Sequence, residues 1–224
     1  MFIRWLAVLL ICPSFAVAGS PAWKDSLMTR LELLALIETL NAELLSHPSA
    51  TATLEKWCGD HALAHEPKVT AAIERGAGKP LDEDGRRLLG VTPGEPVRYR
   101  RVRLLCGDKL LSEADNWYVP GRLTPEMNRL LNETDTPFGR VIRDLNFRRE
   151  TLVARVLWQP LPGQWEMQPL PEFDPQGRLE APGQILEHRA LLRNADGTPL
   201  ALVAETYASG MLDFPLPEPP VTRR

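Results

Sequence analysis

The pattern of hydrophobic and polar positions begins with helices and then changes to strands. Along residues 26–45, leucine and isoleucine recur at helical spacing, which predicts an amphipathic helix. Residues 46–49, Ser-His-Pro-Ser, interrupt this spacing. A second, short helix follows, with Ser49 as its N-cap and Leu54 and Trp57 facing inward.

The strand-rich part of the chain centres on residues 97–120. Gly107-Asp108 separates two runs that are long enough to pair, which predicts a β-hairpin with a two-residue turn. Arginines crowd the first run, and alternation places Arg101 and Arg103 on the face opposite Val102. A guanidinium held by a sheet is a rigid fork for a carboxylate or phosphate. A solvated edge face has the same pattern, so spacing alone leaves both interpretations open.

Other segments complete the strand pattern. Residues 68–74 alternate weakly, residues 149–158 read as a strand, and residues 184–193 and 199–208 form a second hairpin around 194–197. A short helix is expected from Thr124-Pro125-Glu126 to about residue 131.

Composition separates the loops and ends from this domain. Residues 76–96 hold glycine, proline and charge and are expected to form a surface loop. Residues 159–183 are rich in proline and too poor in apolar residues to build a core, which indicates an extended insertion rather than a second domain. The proline-rich tail, residues 211–224, is expected to be disordered, so the domain is assigned to residues 19–210.

The first 18 residues have the order of a secretory signal peptide. Arg4 gives a positive start, residues 5–12 are apolar, and Ala16-Val17-Ala18 is a cleavage site. The apolar run is too short to span a bilayer, so cleavage after Ala18 and a periplasmic or secreted protein without stable membrane insertion are expected. The alternative is a cytoplasmic protein that starts at Met28.

Overall composition favours one globular domain. The chain has 224 residues, 44% hydrophobic and 25% charged, with a formal net charge of −3. Basic residues are not in excess and no nucleic-acid motif is present, so no nucleic-acid partner is expected.

Cysteine and histidine are sparse. After cleavage Cys58 and Cys106 remain, and an oxidising compartment would allow a disulfide between them. The alternation of Cys106 with core positions favours two buried thiols instead. His61 and His65 lie four residues apart but lack a third ligand nearby, so no metal site is predicted.

Candidate chemistry lies in the second half of the chain. Thr136 and Pro137 read as the N-cap and first residue of a helix, which leaves the amides of Phe138 and Gly139 unpaired and able to bind an anion. Most such helix starts bind only water. Glu205 is the single charge in the apolar strand PLALVAETYA. A buried carboxylate must be paired, hydrogen-bonded or protonated, so Glu205 marks either a site or an ion pair with a core arginine.

RVRLLCGDKLLSEADNWYVP, then TPFGRVI, then a final hairpin ending in AETY, resembles the chorismate pyruvate-lyase family over residues 49–210. The resemblance implies an α+β fold with a single antiparallel sheet of about six strands, helices packed on one face and a buried ligand pocket. The order of strands and helices derived above agrees with it.

The implied chemistry is elimination of pyruvate from chorismate to give 4-hydroxybenzoate, without a metal or redox cofactor. By resemblance, Arg101 and Glu205 are the catalytic residues. Arg101 binds a substrate carboxylate, and Glu205 acts as a general acid or base or bonds the ring hydroxyl. Phe138, next to Gly139, matches a backbone-amide contact, and a second such contact falls near Ala50.

Two other hypotheses remain beside the lyase. One is an exported, non-catalytic binding protein for an aromatic carboxylate that uses the same pocket. The other is an envelope protein that keeps only the fold for a structural or interaction role. For the lyase and for the binding protein, we expect a monomer with a small aromatic carboxylate ligand.

Overall fold

A computed structural model describes residues 23–76 and 78–214 of the chain. The predicted signal peptide and the tail from residue 215 lie outside the described residues. The strands are β1 (Val69–Glu74), β2 (Arg98–Cys106), β3 (Lys109–Tyr118), β4 (Arg148–Val156), β5 (Gln184–Arg193) and β6 (Pro199–Ala208). The helices are α1 (Leu27–Ser46), α2 (Ala50–Asp60), α3 (Glu83–Leu89), α4 (Pro125–Glu133) and α5 (Phe138–Val141).

The strands form one six-stranded sheet in the order β1-β2-β3-β6-β5-β4, and each neighbouring pair is antiparallel. Both predicted hairpins are present, β2 with β3 and β5 with β6. The central pairing of β3 with β6 joins the two hairpins, so the last strand lies in the middle of the sheet. The predicted α+β fold class with a single antiparallel sheet is confirmed.

Side-chain caps start the longer helices, and the cap predicted at Ser49 is one of them. The hydroxyls of Ser26, Ser49 and Thr124 each accept a hydrogen bond from the amide three residues later. At α5 the N-cap is Pro137 rather than Thr136, whose hydroxyl instead accepts a bond from Thr134. The start of α5 therefore has no side-chain cap.

The main core lies between one face of the sheet and helices α1 and α2. The buried leucine and isoleucine side chains of α1 recur at helical spacing, as predicted, and pack with α2 and the strands. Smaller helices α4 and α5 cover the same face near the start of β4, where Phe138 and Ile142 join a second cluster with Tyr118 and Leu192.

The opposite face is partly covered by α3, which lies within the predicted surface loop. Asp82 caps this helix by accepting from the Gly85 amide at 2.7 Å, and Leu89 is fully buried against Trp117 and Leu202. The loop prediction was wrong here because the helix is short and only its end is apolar. Tertiary packing of Leu89, rather than a hydrophobic period, stabilises it.

Cys58 of α2 and Cys106 of β2 form a disulfide. The expectation of two free thiols was therefore wrong. Both residues are buried, as expected, but alternation fixes only the direction of Cys106 and not the helix packed above it. The bond ties α2 to the sheet.

The proline-rich insertion packs against the start of the described chain. Lys24 pairs with Arg178 in an isolated antiparallel bridge, and the Asp25 amide donates to Gly177 O at 3.1 Å. At the other end of the domain, Met211 and Leu212 are buried, so the first residues of the predicted tail belong to the core.

Candidate functional site

A cavity of about 30 Å³ lies between the middle of the sheet and the first turns of α2 and α5. Its floor is apolar and comes from β2 and β6, including Val102, Leu104 and Val203. Its roof is formed by Ala50 and Phe138 with their neighbours. We refer to α2 and α5 together as the cap.

The sheet register directs Glu205 into this cavity. Glu205 lies opposite Ala114 of β3, which in turn lies opposite Val102 of β2. Directly paired residues of an antiparallel sheet project to the same face. The last strand therefore presents its carboxylate to the face that α2 covers, and His188 of β5 lies next to it in the same row.

Glu205 forms a buried ion pair with Arg149 of β4. Arg149 Nη2 donates to Glu205 Oε2 at 2.5 Å, and the two side chains are only 4% and 9% exposed. Tyr207 Oη donates to the same oxygen at 3.2 Å. Burial acts to lower the pKa of Arg149, but the charges and hydrogen bonds of Glu205 and Tyr207 together outweigh it and raise that pKa. Of the two interpretations left open by the sequence, the structure shows the pair with a core arginine, and it also places that pair on the pocket wall.

Two buried polar side chains, His188 and Tyr207, lie beside the ion pair of Arg149 and Glu205. His188 Nε2 lies 2.9 Å from Asn41 Oδ1 of α1, and its ring meets Tyr207 edge to face. Burial, with the nearby charge of Arg149, lowers the pKa of His188. Burial and the Glu205 charge raise the pKa of Tyr207 well above its usual value. Near neutral pH both side chains are therefore uncharged.

Unpaired backbone amides meet at the roof of the cavity. The N–H groups of Ala50 and Thr51 begin α2, those of Phe138 and Gly139 begin α5, and residues 23–76 and 78–214 supply no acceptor for them. A Cβ on Gly139 would lie 3.0 Å from Thr51 Oγ1, so glycine permits the close approach of the two helix starts. Ala50, Phe138, Gly139 and Glu205, which the sequence singled out, thus line one cavity.

Arg101 does not join them. Its side chain lies on the opposite face, where Nε contacts Glu74 at 2.9 Å, Nη1 contacts Asp115 at 3.1 Å and Nη2 contacts Glu113 at 3.3 Å. The expectation that Arg101 lies near Phe138 and shares a site with Glu205 was therefore wrong. The physical reason is strand parity, since a shift of one residue moves a side chain to the other face.

Arg149 supplies the pocket cation that the sequence reasoning assigned to Arg101. It stands between Arg148 and Glu150 in a strand with charges on both faces, so the local pattern gave no sign that this arginine is buried. The signal that could have found it was Glu205 itself, because pairing with a cation is one of the few ways to bury a carboxylate in an apolar strand, and here the cation comes from β4, two strands away.

The cap is fastened at two further points. Arg140 Nη2 of α5 donates to Glu55 Oε1 of α2 at 2.6 Å, and the Cys58–Cys106 disulfide holds α2 to β2. A cavity of this volume holds a water molecule or two. An aromatic ligand therefore requires the cap to move outward.

No group of histidine, cysteine, aspartate and glutamate suited to hold a metal ion occurs in the part of the chain that the structure describes. Among the same residues, no helix combines the length and apolar character needed to cross a membrane.

Comparison with known proteins gives a family. No family model matches the chain. The chain is 51% identical over 202 residues to the uncharacterized protein y4mC of Sinorhizobium fredii (strain NBRC 101917 / NGR234), an alignment that covers 90% of this chain and 85% of y4mC. The chain belongs to the y4mC family. Membership rests on both the identity and the coverage, and y4mC itself brings no activity with it.

Several of the solved structures that match the chain carry the names of transcriptional regulators. PhnF from Mycobacterium smegmatis matches with a TM-score of 0.47 and 13% identity over 85% of this chain and 89% of that one. The effector domain of PhnF matches with 0.46 and 15% over 72% and 88%. A possible transcriptional regulator, YydK from Bacillus subtilis, matches with 0.39 and 11%, and the aligned region spans 67% of this chain and 62% of YydK. Similarity at this level carries no argument about function.

Membership of the chorismate pyruvate-lyase family was a wrong assignment. A sequence relative of the chain is y4mC, and matching solved structures carry the names of transcriptional regulators or their ligand-binding domains rather than of lyases. The exclusion of nucleic acid as a partner gains no support from these structures and stays a prediction, as does the monomeric state.

Proposed function

We propose that the protein is a binding protein for a small carboxylate, which it holds in the cavity under the cap. The observation that carries the proposal is the set of unpaired amides at Ala50, Thr51, Phe138 and Gly139, four residues that line the same cavity as Arg149. Arg149 Nε is buried and has no hydrogen-bond partner among the described residues. Such donors are costly to bury unless an acceptor meets them.

The electrostatics favour an anion of low charge. Arg149 and Glu205 cancel within the pocket, so the partial positive charge of the helix-start amides decides the balance. Helix α2 spans Ala50–Asp60 and contributes its dipole, whereas α5 has only four residues and contributes chiefly its amides. The ligand body would rest on the apolar floor around Val102 and Leu104.

The size of the cavity determines how far the cap must move to admit each ligand. A carboxylate as small as pyruvate replaces water with little movement, while benzoate or 4-hydroxybenzoate needs the cap to shift away from the sheet. We expect the aromatic compounds to gain contact with the floor and to bind more slowly, because opening must precede binding.

The test is calorimetric titration of the chain beginning at Gly19 with pyruvate, benzoate and 4-hydroxybenzoate. Arg149→Lys keeps the charge but loses the planar fork, so affinity should fall about tenfold, which corresponds to about 1.4 kcal/mol. Arg101→Met, on the opposite face, is the matched control and should leave affinity unchanged. Absence of binding for all three compounds at millimolar concentration, with a folded wild-type protein, would contradict the proposal.

Catalysis in the same pocket is a second candidate, favoured by one observation. Glu205 Oε2 accepts from Arg149 and Tyr207, while Oε1 accepts from no donor among the described residues and remains available to a ligand. A carboxylate placed in this way can act as general acid or base in eliminating pyruvate from chorismate or a related enolpyruvyl ether. Release of pyruvate from chorismate, reduced by roughly 10² in Glu205→Gln, would replace the binding proposal with this one.

Export is proposed together with binding. The Cys58–Cys106 disulfide is of the kind that persists in oxidising compartments, which supports the signal peptide assigned to residues 1–18. Mass spectrometry of protein from fractionated cells should find Gly19 as the first residue. A cytoplasmic chain that starts at Met28 would contradict export without touching the binding proposal.

A further inference from the structure

A second cavity, of about 260 Å³, lies at the opposite end of β2 from the disulfide. It shares no lining residue with the pocket under the cap. The end of β1, the start of β2 and the end of α4 bound it. The residues that matter for its chemistry are Ile73, Arg75, Arg98, Arg100, Tyr118 and Asn132.

Arg100 is the unusual group in this cavity. It is only 5% exposed, and its Nη2 donates to Thr136 O at 3.1 Å and to Thr134 O at 3.4 Å. Its Nε and Nη1 atoms are buried without a partner among the described residues. Burial lowers the pKa of Arg100. A buried guanidinium that pairs with no carboxylate has N–H donors that have lost their water without gaining an acceptor. The free-energy cost of this desolvation would be reduced by a bound acceptor.

The other charged residues that line the cavity are two arginines and one glutamate. Arg75 and Arg98 also line the cavity, and within residues 23–76 and 78–214 neither they nor Arg100 forms a salt bridge. The single acidic residue of the lining, Glu74, is held from outside by Arg101 Nε at 2.9 Å. The net charge presented to the cavity is therefore positive.

The edge of β1 adds a backbone donor. The Ala71 amide points away from β2 and donates to Asp135 O at 2.9 Å. Residues two apart on a strand direct their N–H groups to the same side, so the Ile73 amide points outward at the cavity. Tyr118 Oη, 3.5 Å from Asn132 Oδ1, supplies a further hydroxyl at the wall.

We propose that this cavity binds an oxyanion, either a free phosphate or sulfate or the phosphate group of a small metabolite. Arginine is the side chain best suited to such groups, because its donors are always charged and fixed in a plane. The bound oxyanion would meet Arg75 and Arg98 at the wall, and a shift of the Arg100 side chain would bring its covered, unpaired donors to the same anion. The segment from Thr134 to Thr136 leads directly into α5, so occupancy of the cavity would also steady one half of the cap.

The experiment is a titration of the wild-type chain, from Gly19, with inorganic phosphate and with sulfate at constant ionic strength. Constant ionic strength is needed because exposed arginines respond to salt alone. Melting temperature and ¹⁵N–¹H spectra should change saturably, with shifts at Ile73 and Thr134–Thr136, while chloride at the same ionic strength should have no such effect. A site that prefers a metabolite would bind its phosphate ester more tightly than free phosphate.

Variants separate this site from surface attraction and from the carboxylate pocket. Arg100→Met should abolish the saturable response, while Arg103→Met, an exposed arginine of the same strand, should keep it. If Arg100→Met does not fold, the double variant Arg75→Met/Arg98→Met tests the same site, and phosphate affinity should fall about tenfold or more. Arg149→Lys should leave phosphate binding intact, so failure of the carboxylate proposal would not affect this one. An absent response in the wild type, or one that persists unchanged in Arg100→Met or in the double variant, would overturn the oxyanion site.

Discussion

The two faces of the sheet each hold an arginine among carboxylates, in opposite settings. On the face under the cap, Arg149 and Glu205 form one pair with side chains 4% and 9% exposed. On the open face, Arg101 meets Glu74, Glu113 and Asp115 with a side chain that is 32% exposed. Water reaches Arg101, Glu74 and Glu113 and screens their attraction, whereas both members of the covered pair are buried and depend on their own geometry.

The difference also concerns which donors are left over. Each nitrogen of the Arg101 guanidinium contacts a carboxylate, so the charge of that side chain is already matched by three acidic groups. Arg149 keeps Nε without a partner in the described part of the chain and lies beside unpaired amides. The covered face thus has a buried ion pair, which is costly to desolvate, next to N–H donors that have no partner in the described part of the chain. This combination is typical of binding sites.

The largest expected effect comes from breaking the covered pair. Arg149→Met leaves Glu205 charged and desolvated, so the free energy of unfolding should fall by about 3–5 kcal/mol. Urea denaturation followed by circular dichroism measures it. Arg155→Met is the matched control on the same strand, because its pair with Glu187 is exposed and should contribute at most about 1 kcal/mol.

A double variant sharpens this prediction. Adding Glu205→Leu to Arg149→Met removes the uncompensated charge as well as its partner, and much of the lost stability should return. A double variant as unstable as the single one would mean that packing of Arg149, and not charge burial, determines the loss.

Breaking the open-face cluster should have a smaller effect. Arg101→Met should lower the free energy of unfolding by about 1 kcal/mol or less, because Asp115 keeps its bonds to Lys79 at 2.7 Å and Tyr99 at 2.6 Å. The difference from wild type should shrink further in 1 M salt, since screening weakens exposed pairs. A loss as large as that of Arg149→Met would erase the contrast between the faces.

These contrasts show what could be predicted from the sequence. Both hairpins, the Ser26, Ser49 and Thr124 caps and the inward placement of Leu54 follow from local rules, because each depends on neighbours in the chain. Glu205 could also be recognised from the sequence, because it is the one charged residue of an otherwise apolar strand.

What could not be predicted depends on contacts between distant elements. Arg100 and Arg101 are adjacent and chemically equal, and only the pairing of β2 with both neighbours decides which one is buried. Arg149 becomes a pocket residue because β5 lies between β4 and β6, an order that no local pattern contains. The α3 helix was missed for the same reason, since Leu89 packs on strands far along the chain.

The smallest expected effect is a dependence of stability on pH that originates on the covered face. The pKa of His188 is lowered by burial and by Arg149, while Glu205 acts in the opposite sense and Asn41 and Tyr207 complete its surroundings. As the pH falls from 7 to 6, the unfolded chain protonates this histidine near its ordinary pKa of about 6.5, but the folded protein does so less readily. Because the unfolded state then binds more protons, stability should fall by at most about 0.7 kcal/mol over this interval.

His188→Gln keeps a donor for Asn41 and should remove that part of the pH dependence, whereas His65→Gln, at an exposed position, should not. Urea titrations at pH 7 and pH 6 measure the difference, and an equal loss of stability in wild type and His188→Gln would show that the buried histidine takes up its proton in the folded state.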